Sequence, residues 1–141
     1  MRTSSSNSTR VYLKRCRRTS VRCFFICIKD GGGLAGAVNI TEIVGGLFQS
    51  AYIGFHAFAP TARKGYMRDG LGLVFDNAFG EMGLHRLEAN IQPENAASIA
   101  LVKRLGFRLE GLSPKFLKIG GRWRDHERWA ILVHEWPKRR R

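Results

Sequence analysis

The stretch from residue 51 to residue 82, "AYIGFHAFAPTARKGYMRDGLGLVFDNAFGEM", changes its period in the middle. Its first nine residues, "AYIGFHAFA", are apolar almost throughout and read as a central strand buried on both faces. Pro60 ends that strand, because proline donates nothing to a ladder. From Met67 onward, Met67, Leu71, Val74, Phe75, Ala78 and Met82 fall on one face of a helix. Gly70 and Gly72 weaken the helix, and close packing is the expected reason for them. Between strand and helix lies a turn with Gly65 flanked by Arg63, Lys64 and Arg68. Backbone N–H groups at a helix start attract anions, so a phosphate is the ligand this turn first suggests.

Upstream, "RCFFICI", "DGGG" and "LAGAVNI" (22–28, 30–33 and 34–40) read as a hairpin with a glycine-rich loop. "TEIVGGLFQS" (41–50) reads as a connection. Downstream, "HRLEANI" (85–91) alternates, with Leu87, Ala89 and Ile91 on one side and Arg86, Glu88 and Asn90 on the other. "PEN" places Asn95 at the N-cap of a short helix, "AASIALVKRL". Lys103 and Arg104 suit the C-terminus of that helix, and Gly106 suits the position after it. "FRLEG" is a strand, and "PKFLKIGGRWRDHERWAILV" (114–133) is a two-stranded ribbon turning at Gly120 and Gly121. Three strands, a helix, a strand, a helix, a strand and a ribbon make a mixed α/β sheet.

The chain has 141 residues, the size of one domain, and 44% hydrophobic content with nine Phe and three Trp supplies a core. No apolar run approaches the roughly 18 residues of a membrane span. The first 22 residues hold seven cations and no acid, and residues 137–141 hold four cations. The intervening 23–136 carry thirteen cations against eleven acids, a net of only +2 out of +13. The basic ends therefore read as solvated tails, with non-specific attraction to nucleic acid at low salt. The N-terminal segment resembles a transit peptide in composition, but it has no apolar core and is not a secretory signal. Three cysteines (Cys16, Cys23, Cys27) in no paired spacing give neither a disulfide framework nor a zinc site, and fit a reducing cytoplasm. Four scattered histidines give no metal site either.

Two segments then agree with one family. "PTARKGYMRDGL" resembles the acetyl-CoA pyrophosphate loop of the GNAT N-acetyltransferases, a (Q/R)-x-x-G-x-(G/A) turn that opens a helix after a strand. "NIQPENAASIALVKRLGFRLEG" resembles the second GNAT motif, and "KIGGRWRDHERWAIL" resembles the end of the ribosomal-protein-alanine N-acetyltransferase subgroup. The resemblance covers about residues 34–136. The chain departs from the pattern at Ala62, Arg63 and Met67, and its first 22 residues do not read as the strand and two helices with which that subgroup begins. It is expected to be truncated or altered there. The implied fold is α/β (α+β), a mixed, mostly antiparallel sheet flanked by helices. The implied organisation is a basic, disordered segment over 1–22, an acetyltransferase domain over 23–136 and a basic tail over 137–141.

The resemblance implies acetyl-CoA as co-substrate and no metal. Amides of Arg63, Lys64, Gly65, Tyr66 and Met67 would cradle the pyrophosphate, with Gly65 permitting close approach. Phe58 and Ala59 would face the pantetheine arm. Asn95 reads both as a helix cap and, by resemblance, as a pantetheine ligand. Amide formation from a thioester needs a neutral amine, oxyanion stabilisation and a proton for the departing thiolate. The family position for a tyrosine acid is Val102 here, so Ser98 is the candidate donor to sulfur. Glu88 is the candidate base or water-orienting carboxylate, with His56 second, although a structural role suits both. Asp125 and Glu127 read as a solvated ribbon face.

The acceptor implied is a protein N-terminal α-amine, a ribosomal protein by resemblance, acetylated directly in a ternary complex without a covalent enzyme intermediate. Two other readings stay open. One is the same fold acting on a small amine or antibiotic. The other is a non-catalytic acyl-CoA- or RNA-binding remnant. The chain is read as a monomer or as a homodimer through an exposed sheet edge, away from membranes.

Overall fold

The computed structural model describes residues 10–16, 22–58 and 65–136. Among them the chain runs β1 (Val11–Arg15), β2 (Arg22–Ile28), β3 (Leu34–Val44), β4 (Ser50–Ala57), α1 (Tyr66–Asp76), β5 (Arg86–Ile91), α2 (Ala96–Arg104), β6 (Arg108–Ile119) and β7 (Arg122–Leu132). A π-helical turn (Asn77–Glu81) extends α1, and a 3-10 turn (Val133–Glu135) follows β7. The strands form one sheet in the order β1-β2-β3-β4-β5-β7-β6. Every neighbouring pair is antiparallel except β4 and β5, which run parallel across the connection that contains α1. This is the mixed, mostly antiparallel sheet with helices that the sequence implied.

Strand alternation decides which face is dry. Phe24, Val38, Ile40, Ile53, Leu87 and Ile131 are all buried, and the register couples them across the sheet: Phe24 with Val38, Ile40 with Ile53, Leu87 with Ile131. The helices cover this face. α1 brings Leu71, Val74 and Phe75, and α2 brings Val102. Phe75 meets Phe107 at 5.5 Å and Trp136 at 5.0 Å between ring centres, joining α1 to the segments after α2 and after β7. Trp136 Nε1 donates to Asp76 Oδ1 at 2.8 Å, so the buried indole N–H has a partner. The opposite face carries exposed Asn39, Gly54 and His56, and no described helix lies on it.

Five expectations change. The sheet begins inside the segment read as a disordered tail: Val11 is fully buried opposite Ile28, and Val11–Arg15 is a strand. The cations on either side of that short apolar alternation masked it. β4 is buried on one face only, since Gly54 and His56 are exposed. "TEIV" continues β3 instead of connecting it, and "FRLEG" merges with the ribbon into one long β6, bulged around Ser113–Leu117 where Pro114 interrupts the ladder. Cys16 and Cys23 are joined as a disulfide with Cα atoms 5.0 Å apart. Antiparallel pairing of β1 and β2 brings them face to face, with Cys16 N–H donating to Cys23 O at 2.8 Å. Cys27 is a buried free thiol. Residues 1–9, 17–21 and 137–141, which hold much of the basic charge, lie outside the described residues, and no described helix is long and apolar enough to cross a membrane.

The two helix glycines play different parts. A Cβ on Gly70 would overlap Ile26 of β2, with Cγ1 2.6 Å away, so this glycine lets α1 lie against the sheet. A Cβ on Gly72 would touch only Trp136 at 3.7 Å, an ordinary contact. Gly70→Ala is therefore expected to destabilise by about 1–3 kcal/mol through overpacking. Gly72→Ala is expected to stabilise by up to about 1 kcal/mol through helix propensity. Urea denaturation of the two variants, measured side by side, checks the opposite signs.

Candidate active site

β4 and β5 pair at three positions only: Ser50 with Arg86, Ala51 with Leu87, and Tyr52 with Glu88. Beyond them, β4 pairs with β3 alone and β5 with β7 alone. Two parallel neighbours that part leave main-chain donors and acceptors along both inner edges, and such groups need partners. α1 begins beyond the C-terminal end of β4, and α2 beyond that of β5. The crevice outside the carboxyl ends of parallel strands is where α/β sheets take ligands.

The start of α1 lies beside Arg10, which precedes β1, and against Gly36 of β3. Gly65, the N-cap, has φ 83° and ψ 0°, a left-handed conformation that disfavours a side chain, and no side chain caps the helix. The first intrahelical bond is Asp69 N–H to Gly65 O at 3.2 Å, so the N–H groups of Tyr66, Met67 and Arg68 come before the helical ladder. N–H groups so placed at a helix start favour an anion. Met67 turns its side chain inward against Gly36 of β3, where an added Cβ would strike its sulfur. Phe58 donates its N–H to Ala35 O of β3 at 2.9 Å, and its ring meets His56 edge-on at 5.6 Å. Ala59, Arg63 and Lys64 lie outside the described residues.

The start of α2 follows β5. Asn95 Oδ1 accepts the Ser98 N–H at 3.2 Å, the capping bond the sequence suggested. Ser98 is half-buried one turn in, beside that cap. Val102 is wholly buried, an apolar anchor of α2.

Glu88 sits at the last rung before the strands part and is only 7% exposed. Arg86 Nη2 donates to its Oε1 at 2.7 Å, and Arg128 Nε lies 3.6 Å from Oε2. Arg86 also grips Glu110 through both terminal nitrogens, at 3.0 and 2.7 Å. Arg108 continues the chain from Glu110 at 3.2 Å to Glu135 at 2.6 Å. The Arg86 hydrogen bond holds the Glu110 carboxyl below its ordinary value, while the Glu110 bond raises Arg86. Burial first, and then the charge of Glu88, push the Tyr52 hydroxyl above its ordinary value. Tyr52 is thus a neutral hydroxyl beside a carboxylate at the mouth of the crevice.

Gly65, Tyr66 and Met67 lie together at the start of α1, and Asn95 and Ser98 at the start of α2, while Glu88 belongs to an ion-pair network on the sheet. Asp125 and Glu127 have structural partners: Asp125 Oδ1 accepts Lys115 N–H at 2.9 Å, and Glu127 accepts Trp129 Nε1–H at 3.0 Å. Sequence reasoning missed Arg10, Tyr52 and Arg128. Pairing register, which places Tyr52 opposite Glu88, was the signal for one of them; Arg10 was hidden in the presumed tail.

Residues 2–108 match the family described as the acetyltransferase (GNAT) domain, and the chain belongs to that family. The fold and the parted strand pair define a GNAT-type N-acetyltransferase domain. A probable N-acetyltransferase of Bacillus subtilis, YjcK, is 36% identical over 121 residues, covering 86% of this chain and 67% of that protein. The [ribosomal protein uS5]-alanine N-acetyltransferase of Escherichia coli is 33% identical over 107 residues, covering 76% of this chain and 55% of that protein. Mycobacterium smegmatis RimJ, solved in complex with CoA-disulfide, superposes with a TM-score of 0.78 at 34% identity, covering 84% of this chain and 56% of that one. The chain therefore spans between about half and two thirds of the length of these proteins.

The depressed Glu110 group has a readable consequence. A carboxylate whose folded-state value lies below its ordinary 4.5 stabilises the fold fully above that pH and loses its contribution as pH falls through the folded value. Glu110→Gln is expected to cost about 1 kcal/mol at pH 7. The difference from the parent should shrink steadily below about pH 4.5 in urea titrations run across pH.

Proposed function

We propose that this chain transfers an acetyl group from acetyl-CoA to an amine, and that the amine is the N-terminal α-amine of a protein, a ribosomal protein being the best candidate. The acceptor class sets the reaction in the cytoplasm. The observation that carries the reading is the β4–β5 pair that parts after three rungs between two helix starts. The E. coli relative, named for a ribosomal-protein alanine, supports the acceptor class.

Bound acetyl-CoA supplies an activated acyl thioester. The chain's own residues would do the rest. Gly65, with the N–H groups of Tyr66 and Met67, offers a rigid positive helix end to the pyrophosphate. Arg63 and Lys64 would add charge, and Phe58, Ala59 and Asn95 would line the pantetheine path. Ser98 would donate a hydrogen bond to the departing sulfur. Glu88, already engaged by two guanidiniums, is better suited to orient a water or the incoming amine than to act as an unencumbered base. An α-amine, with an ordinary value near 8, is neutral often enough not to require a strong one.

Calorimetric titration with acetyl-CoA tests the donor reading. Micromolar binding by the parent, abolished by Gly65→Trp in a variant that still melts cooperatively, is the expected result. A folded parent that binds no acetyl-CoA would end the reading. A screen of alanine-starting peptides against polyamines then separates acceptor classes. Ser98→Ala is expected to lower kcat about a hundredfold while leaving KM for acetyl-CoA nearly unchanged. Its backbone still makes the Asn95 cap, so steady-state kinetics with the donor varied isolates the hydroxyl.

A further inference from the structure

Arg10 stands at the foot of β1, and its guanidinium crosses to the start of α1. Its Nε donates to Asp69 Oδ2 at 2.8 Å. Its guanidinium carbon lies 4.7 Å from the centre of the Tyr66 ring. A Cβ built on Gly65 would lie 2.8 Å from its Nη2, so the outer end of the fork hangs over the helix cap. The backbone beneath is fixed: Lys29 N–H donates to Arg10 O at 2.9 Å, and Val11 is fully buried. Arg10 is therefore a cation held in register with the helix start, with 45% of its side chain still open to solvent.

We propose that Arg10 is a binding residue for the acyl donor, its fork taking oxygens of the acetyl-CoA pyrophosphate beside the first-turn N–H groups of α1. The proposal rests on the acetyl-CoA reading above. Guanidinium matches phosphate oxygens two at a time, and the planar group stacked on Tyr66 loses little further freedom on binding. Asp69 explains why a cation is wanted there. A carboxylate in the first helical turn would repel a polyanion, and Arg10 neutralises it while being aimed by it. β1 thereby becomes part of the donor site, although it lies at the far edge of the sheet from β5.

The test is calorimetric titration of CoA and of 3′-dephospho-CoA into the parent, Arg10→Ala, Arg10→Lys and Asp69→Asn, with a thermal melt for each. Arg10→Ala is expected to weaken both nucleotides by the same factor, about tenfold to a hundredfold, and to flatten the salt dependence of binding. Arg10→Lys should recover part of the loss. Asp69→Asn, which removes a competing anion, should bind at least as tightly as the parent. Parental affinity in Arg10→Ala would overturn the proposal while leaving the acetyl-CoA reading intact. A loss confined to CoA would move the contact to the 3′-phosphate and overturn the pyrophosphate assignment. Full recovery in the Arg10→Ala, Asp69→Asn double variant would reduce Arg10 to a screen for Asp69 and also overturn it. A parent that binds neither nucleotide would take the acetyl-CoA reading down with it.

Discussion

Three rungs of parallel pairing between β4 and β5 set the geometry of everything around them. Had the ladder continued, the inner edges of both strands would have satisfied each other. Had it been absent, the sheet would have split in two. With three rungs the strands share a core at Ala51 and Leu87 and pair no further on. β4 leads on to the start of α1 and β5 to the start of α2, each a positive helix end. Packing fixes the direction of those helices. Gly70 lets α1 touch Ile26, and Val102 buries α2 against the same face.

The rungs themselves are braced electrostatically. Arg86 and Glu88 occupy the first and last of them, and their side chains belong to a relay of alternating charge reaching Glu135. Most members are partly exposed, so each pair alone contributes little. Their shared geometry matters more, because Arg86 cannot move without releasing both Glu88 and Glu110. That relay holds Glu88 and presents the neutral Tyr52 hydroxyl at the mouth of the gap.

The fold class was legible because the helical and strand periods in residues 51–105 are clean and their caps are conventional. Asn95 and Gly106 behave as their residue types dictate, the glycine at φ 98° after α2. The chain's beginning was not legible. Val11 and Leu13 are the two inward positions of a five-residue strand, and the surrounding cations dominated the reading. Arg10 and Cys16 acquire meaning only through pairing with distant residues, which no local pattern encodes. The same holds for Glu88. Its polar position on β5, two residues from Arg86, was readable, but its second guanidinium partner, Arg128, depends on β7 and on strand registry.

The short seam also divides the molecule as a folding object. β1 to β4 form successive antiparallel neighbours, each reached through a connection of a few residues, whereas β5 to β7 form a second antiparallel block. Contacts within β1–β4 and between β6 and β7 close small loops, while the seam and the β5–β7 pairing each wait on a crossover that contains a helix, a costlier event in chain entropy. Few backbone hydrogen bonds hold the seam once formed. Among neighbouring strands the seam has the fewest backbone pairs, so it is the line along which local opening costs least.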